Sequence, residues 1–187
     1  DTCRRQRQMC IRDRDNNFYD IGTLIGSKIK SDAEIKFLNF EEEKSQIIDG
    51  ILYAQYKFNN YKSEDDSSIN NITFKDIDSS VNEIKKDSVF WVRDLINTPA
   101  LDKSPEEFID KVKELVDSSD IDVEVYDKKW LEENDLGGVL GVGKGSDRPP
   151  YFLVGKYNSK AKYQVSLIGK GVLFDTGGYS LKSPAGM

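Results

Sequence analysis

Apolar positions along the chain repeat with two periods, and the switches between them mark out the elements. In "EEEKSQIIDGILYAQYKFNNYK" Ile47, Ile48, Ile51 and Leu52 fall at helical spacing behind a run of acids, and acids suit a helix N-terminus. Upstream, "FYDIGTLIGSKIKSDAEIKFLNF" predicts a short helix and then a strand around 34–40. "SEDDSSINN" is a polar loop and "ITFKDI" a short strand. "DSSVNEIKKDSVFWVRDLIN" returns to helical spacing at Val81, Ile84, Val89, Val92 and Ile96, and Pro99 closes it. The next helix carries its own start signal. Ser104 is an N-cap, Pro105 takes the first helical position, and Glu107 completes a capping box. Phe108, Ile109, Val112, Leu115 and Val116 then form one apolar face.

"IDVEVYD" alternates as a strand, and a short helix is expected over 128–134. "YFLVGKY" and "YQVSLIGKGVLF" read as two further strands. Only five residues separate them, too few for a helical crossover, so an antiparallel pair is expected. Strands alternating with helices, plus one tight hairpin, predict an α/β fold with a mixed sheet. A domain boundary is placed near Asp78, where a strand ends and a long helix begins. There is no internal repeat.

Composition sharpens this picture at both ends. The 187 residues suffice for one ordinary domain or parts of two. The first fourteen, "DTCRRQRQMCIRDR", hold both cysteines and five arginines, whereas only Arg93 and Arg148 follow. They resemble a translated sequencing adaptor and are read as non-native. The competing reading is a basic arm for nucleic acid or membrane. Without them the formal charge moves from −6 to −9, with 22 basic against 31 acidic residues. An acidic body argues against nucleic acid and anionic lipid as partners. No apolar run approaches the ~18 residues of a membrane helix, and no apolar segment follows the basic start as in a secretory signal.

The remaining body has no cysteine and the whole chain no histidine. The first absence rules out a disulfide framework and suits a reducing compartment, the cytoplasm. The second excludes Ser-His-Asp catalysis, HExxH zinc sites and His-ligated iron within this chain. A metal would have to be held by carboxylate, carbonyl, water or an unusual ligand such as lysine.

Three stretches invite a site. "GGVLGVGKGS" (137–146) nearly fits a P-loop, but Gly145 stands where the magnesium-binding hydroxyl belongs. It nearly fits a dinucleotide fingerprint, but Ser146 replaces the third glycine, and Pro149 and Pro150 stand where a helix should follow. A glycine-rich turn between strands is expected instead. "RDLINTPA" reads as a helix C-terminus with a local ion pair of Arg93 and Asp94. "IGKGVLFDTGGYSLKSPAGM" says more. Val165 and Leu167 begin a buried strand, Lys170 lies between Gly169 and Gly171, and Asp175 stands where the apolar run ends. A buried lysine must pair or lose its charge. Ligands in open α/β sheets bind at the carboxyl ends of strands. However, positions 170 and 175 have opposite parity, so a regular strand points them to opposite faces. They can meet one ion only if the chain bulges or turns near Gly171. A strand end with solvated charges remains the competing reading.

Taken together, "ILYAQYKFNNYKS", "VRDLINTPALDKSPEEF", "LGGVLGVGKGSDRPPYFLVGKYN" and "VSLIGKGVLFDTGGYSLKSPAGM" resemble, in order, the leucyl (cytosol) aminopeptidases, two-metal exopeptidases. The resemblance is good over 47–187, looser over 16–46, and absent over 1–14. It implies that 15–78 form the C-terminal part of an N-terminal α/β domain. Residues 79–187 would be a linking helix and the beginning of a metallopeptidase catalytic domain. It implies two divalent metal ions, zinc or manganese with magnesium as a further candidate. Lys170 would bind one metal through a neutral amine, which a nearby dication favours. Asp175 would bridge both metals. Lys182 would stay protonated and polarise the scissile carbonyl. The two lysines would then hold opposite charge states, set by their surroundings.

The implied reaction is attack of metal-activated water on the first peptide bond of a peptide with a free N-terminus. The implied assembly is a cytoplasmic homohexamer. Tyr179 stands near the site where a smaller residue is expected. The family's further carboxylates, and the arginine that holds its bicarbonate base, would lie beyond Met187. The 187-residue chain is therefore read as a fragment, expected to be inactive alone and poorly soluble, since an incomplete sheet leaves an open edge. The rival is a non-catalytic scaffold or DNA-binding relative. Acidic charge and the presence of Lys170, Asp175 and Lys182 disfavour it.

Overall fold

Among the described residues, two parallel three-residue strands and three helices make up the first half of the fold. In the computed structural model, which describes residues 17–38, 42–63, 70–117, 119–158 and 160–173, α1 spans Phe18–Gly26 and β1 Ala33–Ile35. They are followed by α2 (Lys44–Tyr53), β2 (Ile72–Phe74) and α3 (Ser80–Asn97). The pattern-based helices and strands are all found, although β1 is shorter than expected and residues 39–40 lie outside the described set. β1 and β2 pair in register from Ala33↔Ile72 to Ile35↔Phe74. Ile47, Ile48, Ile51 and Leu52 of α2 form the core with Ile72 and Phe74 of β2. The helical spacing of those four residues turns them to one side, and the strand covers them.

Helix α1 lies against α2 with no side chain between the crossing backbones. A Cβ built on Gly22 would run into the carbonyl oxygen of Ile47, and one on Gly50 into that of Tyr19. Glycine at these positions is what permits the approach.

The second half begins with a 3₁₀ turn at Ala100–Asp102. Helix α4 (Pro105–Val116) starts at the expected capping box. Glu107 N donates to Ser104 Oγ at 3.1 Å, and Ser104 N donates to Glu107 Oε2 at 2.6 Å. Ser104→Ala removes one half of this exchange. It is expected to cost about 1 kcal/mol, read as a lowered urea midpoint, while Ser104→Asp should restore most of it.

Next come β3 (Ile121–Tyr126), α5 (Lys128–Glu133), α6 (Gly137–Gly143) and β4 (Phe152–Tyr157). Asp127 caps α5 by accepting from Trp130 N at 2.9 Å. Ile109 and Leu131 are buried.

Two expectations are corrected in this half. The partner of β4 is β3, antiparallel from Ile121↔Tyr157 to Tyr126↔Phe152, and the segment beginning at Tyr163 is not a strand. Cross-strand chemistry favours the observed pair. Lys156 donates to Glu124, and the Tyr126 ring stacks on Trp130 at 4.0 Å and reaches Phe152 at 6.2 Å. Val165, Leu167 and Ile168 are 85%, 94% and 95% exposed rather than buried. A strand needs a neighbour's backbone as well as an apolar sequence, and no described strand pairs with 163–173.

The second correction is the glycine-rich stretch, which is mostly a short helix rather than a turn. Val139 N and Leu140 N both donate to Leu136 O, and the half-buried Val139 and Leu140 lie on one side. Their packing outweighs the ~1 kcal/mol that each helical glycine costs.

By contact the chain separates into two units, Asp1–Asn97 and Thr98–Met187. The long α3 therefore counts with the first unit. No described helix is long and apolar enough to cross a membrane.

Candidate functional site

Lys170 is the one expected site residue within the described part of the chain. It lies on an exposed, irregular segment. Val172 N donates to Lys170 O at 2.9 Å, which closes a three-residue turn centred on Gly171. A Cβ built on Gly169 or Gly171 would meet nothing within 4 Å, so both sides of Lys170 are open to an approaching group.

Asp175, Tyr179 and Lys182 lie outside the described residues. The described structure therefore brings no two of the expected site residues together. Among the described residues there is also no group of three carboxylate, cysteine or histidine side chains placed to hold a metal. One lysine amine does not constitute a dinuclear centre, so the described donors alone do not fit the implied metal pair.

The glycine-rich stretch borders a hollow of about 350 Å³ lined by Lys128, Glu132, Leu140, Lys144, Ser146 and Asp147. Two cations face two anions there, and Lys128 sits 3.8 Å from Glu132. A phosphate cradle needs a surplus of donors and positive charge, and this lining has neither. The backbone along the glycine-rich stretch is helical rather than a turn.

The sequence reading missed two arginine placements. Arg148 reaches across the second unit to clamp the 3₁₀ turn, with Nη1 donating to Ala100 O at 2.8 Å and Nη2 to Leu101 O at 3.2 Å. Arg93 was expected in a local ion pair. Its Nη1 donates instead to Tyr53 O at 3.0 Å, while Asp94 accepts from the Tyr56 hydroxyl at 2.8 Å. The available signal was scarcity. Only two arginines follow the first fourteen residues, and each caps backbone carbonyls that a lysine point charge serves less well.

The α/β architecture and the run of residues from α3 onward fall in the class of peptidase catalytic domains. Residues 90–187 match the family model described as "Cytosol aminopeptidase family, catalytic domain". The chain belongs to the cytosol aminopeptidase family. It is 48% identical over 103 residues to a probable cytosol aminopeptidase of Rhodococcus opacus (strain B4), covering 54% of this chain and 20% of that protein. Among solved structures, a tomato leucine aminopeptidase mutant matches with a TM-score of 0.72 at 20% identity, covering 87% of this chain and 37% of that one. The bottromycin maturation enzyme BotP in complex with Mn matches at 0.60 and 21% identity, covering 73% and 32%. At these identities the structural likeness supports the fold alone. The chain spans about a third or less of the length of the relatives it matches.

Proposed function

We propose that the complete protein is a metallo-aminopeptidase that releases N-terminal amino acids from peptides. The observation that carries this reading is the family match over 90–187, a span that contains Lys170, Asp175 and Lys182. The division of this chain near Asp78, into the end of an N-terminal domain and a linking helix with the start of a catalytic domain, is part of the same reading. So are a cytoplasmic location and a homohexamer.

Bound divalent metal supplies Lewis acidity and lowers the pKa of a water molecule. Zinc or manganese is the expected metal, with magnesium a further candidate, and manganese is the one bound in the BotP complex. In this reading Lys170 ligates through its neutral amine and Asp175 through its carboxylate. Lys182 keeps its proton and holds the oxygen of the first peptide bond. A free α-amine on the peptide is the recognition element.

The test uses the complete protein stripped by a chelator and reloaded with Mn²⁺ or Zn²⁺. Hydrolysis of an aminoacyl chromogenic amide should vanish on stripping and return on reloading, and the N-acetylated substrate should remain intact. Cleavage of the blocked substrate would sink the proposal. The isolated 187-residue chain, with only these three site residues, is expected to show no turnover with either metal.

A further inference from the structure

Helix α3 docks through polar groups and half-buried apolar ones, Val89, Phe90, Trp91 and Leu95 among them. Val81, Ile84, Val92 and Ile96 point to solvent, and none of its residues belongs to the buried apolar cluster. Two polar nodes hold it to α2. At the N-terminal end, the buried Asn82 donates to Ser45 O at 3.0 Å and to Asp49 Oδ1 at 2.7 Å, and Lys85 lies 3.2 Å from Asp49.

At the C-terminal end, the Arg93 guanidinium faces the Tyr56 ring at 5.2 Å and the Tyr53 ring at 6.0 Å. Its Nη1 donates to the Tyr53 carbonyl, one of the last carbonyls of α2 that no helical N–H can fully satisfy. The Tyr56 hydroxyl donates to Asp94 and accepts from Asn97 Nδ2 at 3.0 Å. Phe90 meets the Tyr56 ring edge-on at 5.1 Å. Partial burial, then the bond to Asp94, hold the Tyr56 hydroxyl above the usual phenol range, so it remains a donor at physiological pH.

We propose that the Arg93–Tyr53–Tyr56–Asn97 node is a latch: it fixes the C-terminal half of α3 on α2 and can open without unfolding the core. The argument is one of unequal attachment. Opening free energies are lowest where an element contributes few buried apolar contacts. The C-terminal half of α3 has no fully buried apolar side chain: Phe90, Trp91 and Leu95 are only half-buried, and the Arg93 guanidinium and the Tyr56 hydroxyl add ring-face and hydrogen-bond contacts. The core of α2 and β2 is closed by Ile47, Ile48, Ile51, Leu52, Ile72 and Phe74 without help from α3. Because α3 is the last element before the unit boundary at Asn97, the latch sets whether the connection to the next unit starts from an ordered or a frayed helix end.

Amide hydrogen exchange on the complete protein tests this. Arg93→Met keeps an unbranched apolar stem but removes the planar cation and its donors. Exchange over residues 90–97 should accelerate about 10- to 100-fold, the scale of losing one charged hydrogen bond and a cation–π contact. Exchange over 47–52 should not change. Arg93→Lys should behave much like Arg93→Met, because an ammonium does not reproduce the stacked fork. Tyr56→Phe, a milder variant that keeps the ring, should accelerate 90–97 by a smaller factor. Unchanged exchange over 90–97 in these variants would overturn the latch. So would equal acceleration over 90–97 and 47–52, which would make α3 part of one cooperative core.

Discussion

Replacing Lys182 by alanine in the complete protein is expected to lower kcat by about 10²–10³-fold, the usual cost of removing one preorganised donor to a developing oxyanion. KM should change little, because the group is assigned to charge that appears only in the transition state. The chemistry behind the number is the opposite fate of two lysines twelve positions apart. In the proposed reading Lys170 would serve as a metal ligand. The field of a dication there opposes protonation of Lys182, since like charges raise the free energy of the charged state. Lys182 can therefore serve only where its surroundings restore the proton, and arginine, which is always charged, tests that point. Lys182→Arg should recover part of the lost rate. It should also remove any fall in kcat at high pH that loss of the Lys182 proton causes in the wild type. Steady-state kinetics on an aminoacyl amide across pH reads all three outcomes. A change confined to KM would reassign Lys182 to ground-state binding.

The element pattern was legible because it rests on local chemistry. The capping box of α4 is two residues, three positions apart, with a fixed hydrogen-bond exchange, and both bonds are present. The spacing of Ile47, Ile48, Ile51 and Leu52 needed only a helix and a cover, and β2 supplies the cover. Strand pairing was not legible. The five-residue gap before Tyr163 made a hairpin the simplest closure, yet β4 pairs across α5 and α6 with β3. Register between distant strands depends on pairs such as Glu124–Lys156, which no single segment announces. The helix at 137–143 was hidden for a related reason, since its glycines argue locally for a turn and only packing argues otherwise. For the site, the motif named Lys170, Asp175 and Lys182 but gave no geometry. Of the three, only Lys170 lies among the described residues, beside a turn centred on Gly171.

The contact between α1 and α2 was equally invisible in the sequence, and it carries the largest expected effect on stability. Gly50→Ala on an exposed helix would gain up to about 1 kcal/mol. Here the new Cβ would strike the Tyr19 carbonyl oxygen and lie 2.7 Å from Thr23 N, both backbone atoms that no rotamer change can move. The helices must separate, and they are held close at three points, because a Cβ built on Gly22 would strike the Ile47 backbone and one built on Gly26 would lie 2.5 Å from Ile51 O. Separation loosens the packing around Ile48 and Ile51, which are 1% and 0% exposed. A net loss of about 1–3 kcal/mol is expected for Gly50→Ala, and more for Gly50→Val, whose second branch also strains the helix. Gly138→Ala is the matched control, since a Cβ there meets nothing within 4 Å, and it should leave stability unchanged or raise it by up to about 1 kcal/mol. Urea midpoints of the two variants should therefore move in opposite directions or, at the least, Gly50→Ala alone should fall. Equal midpoints would mean that α1 can move away from α2 at no cost, and that the three glycines are not what holds the helices at this distance.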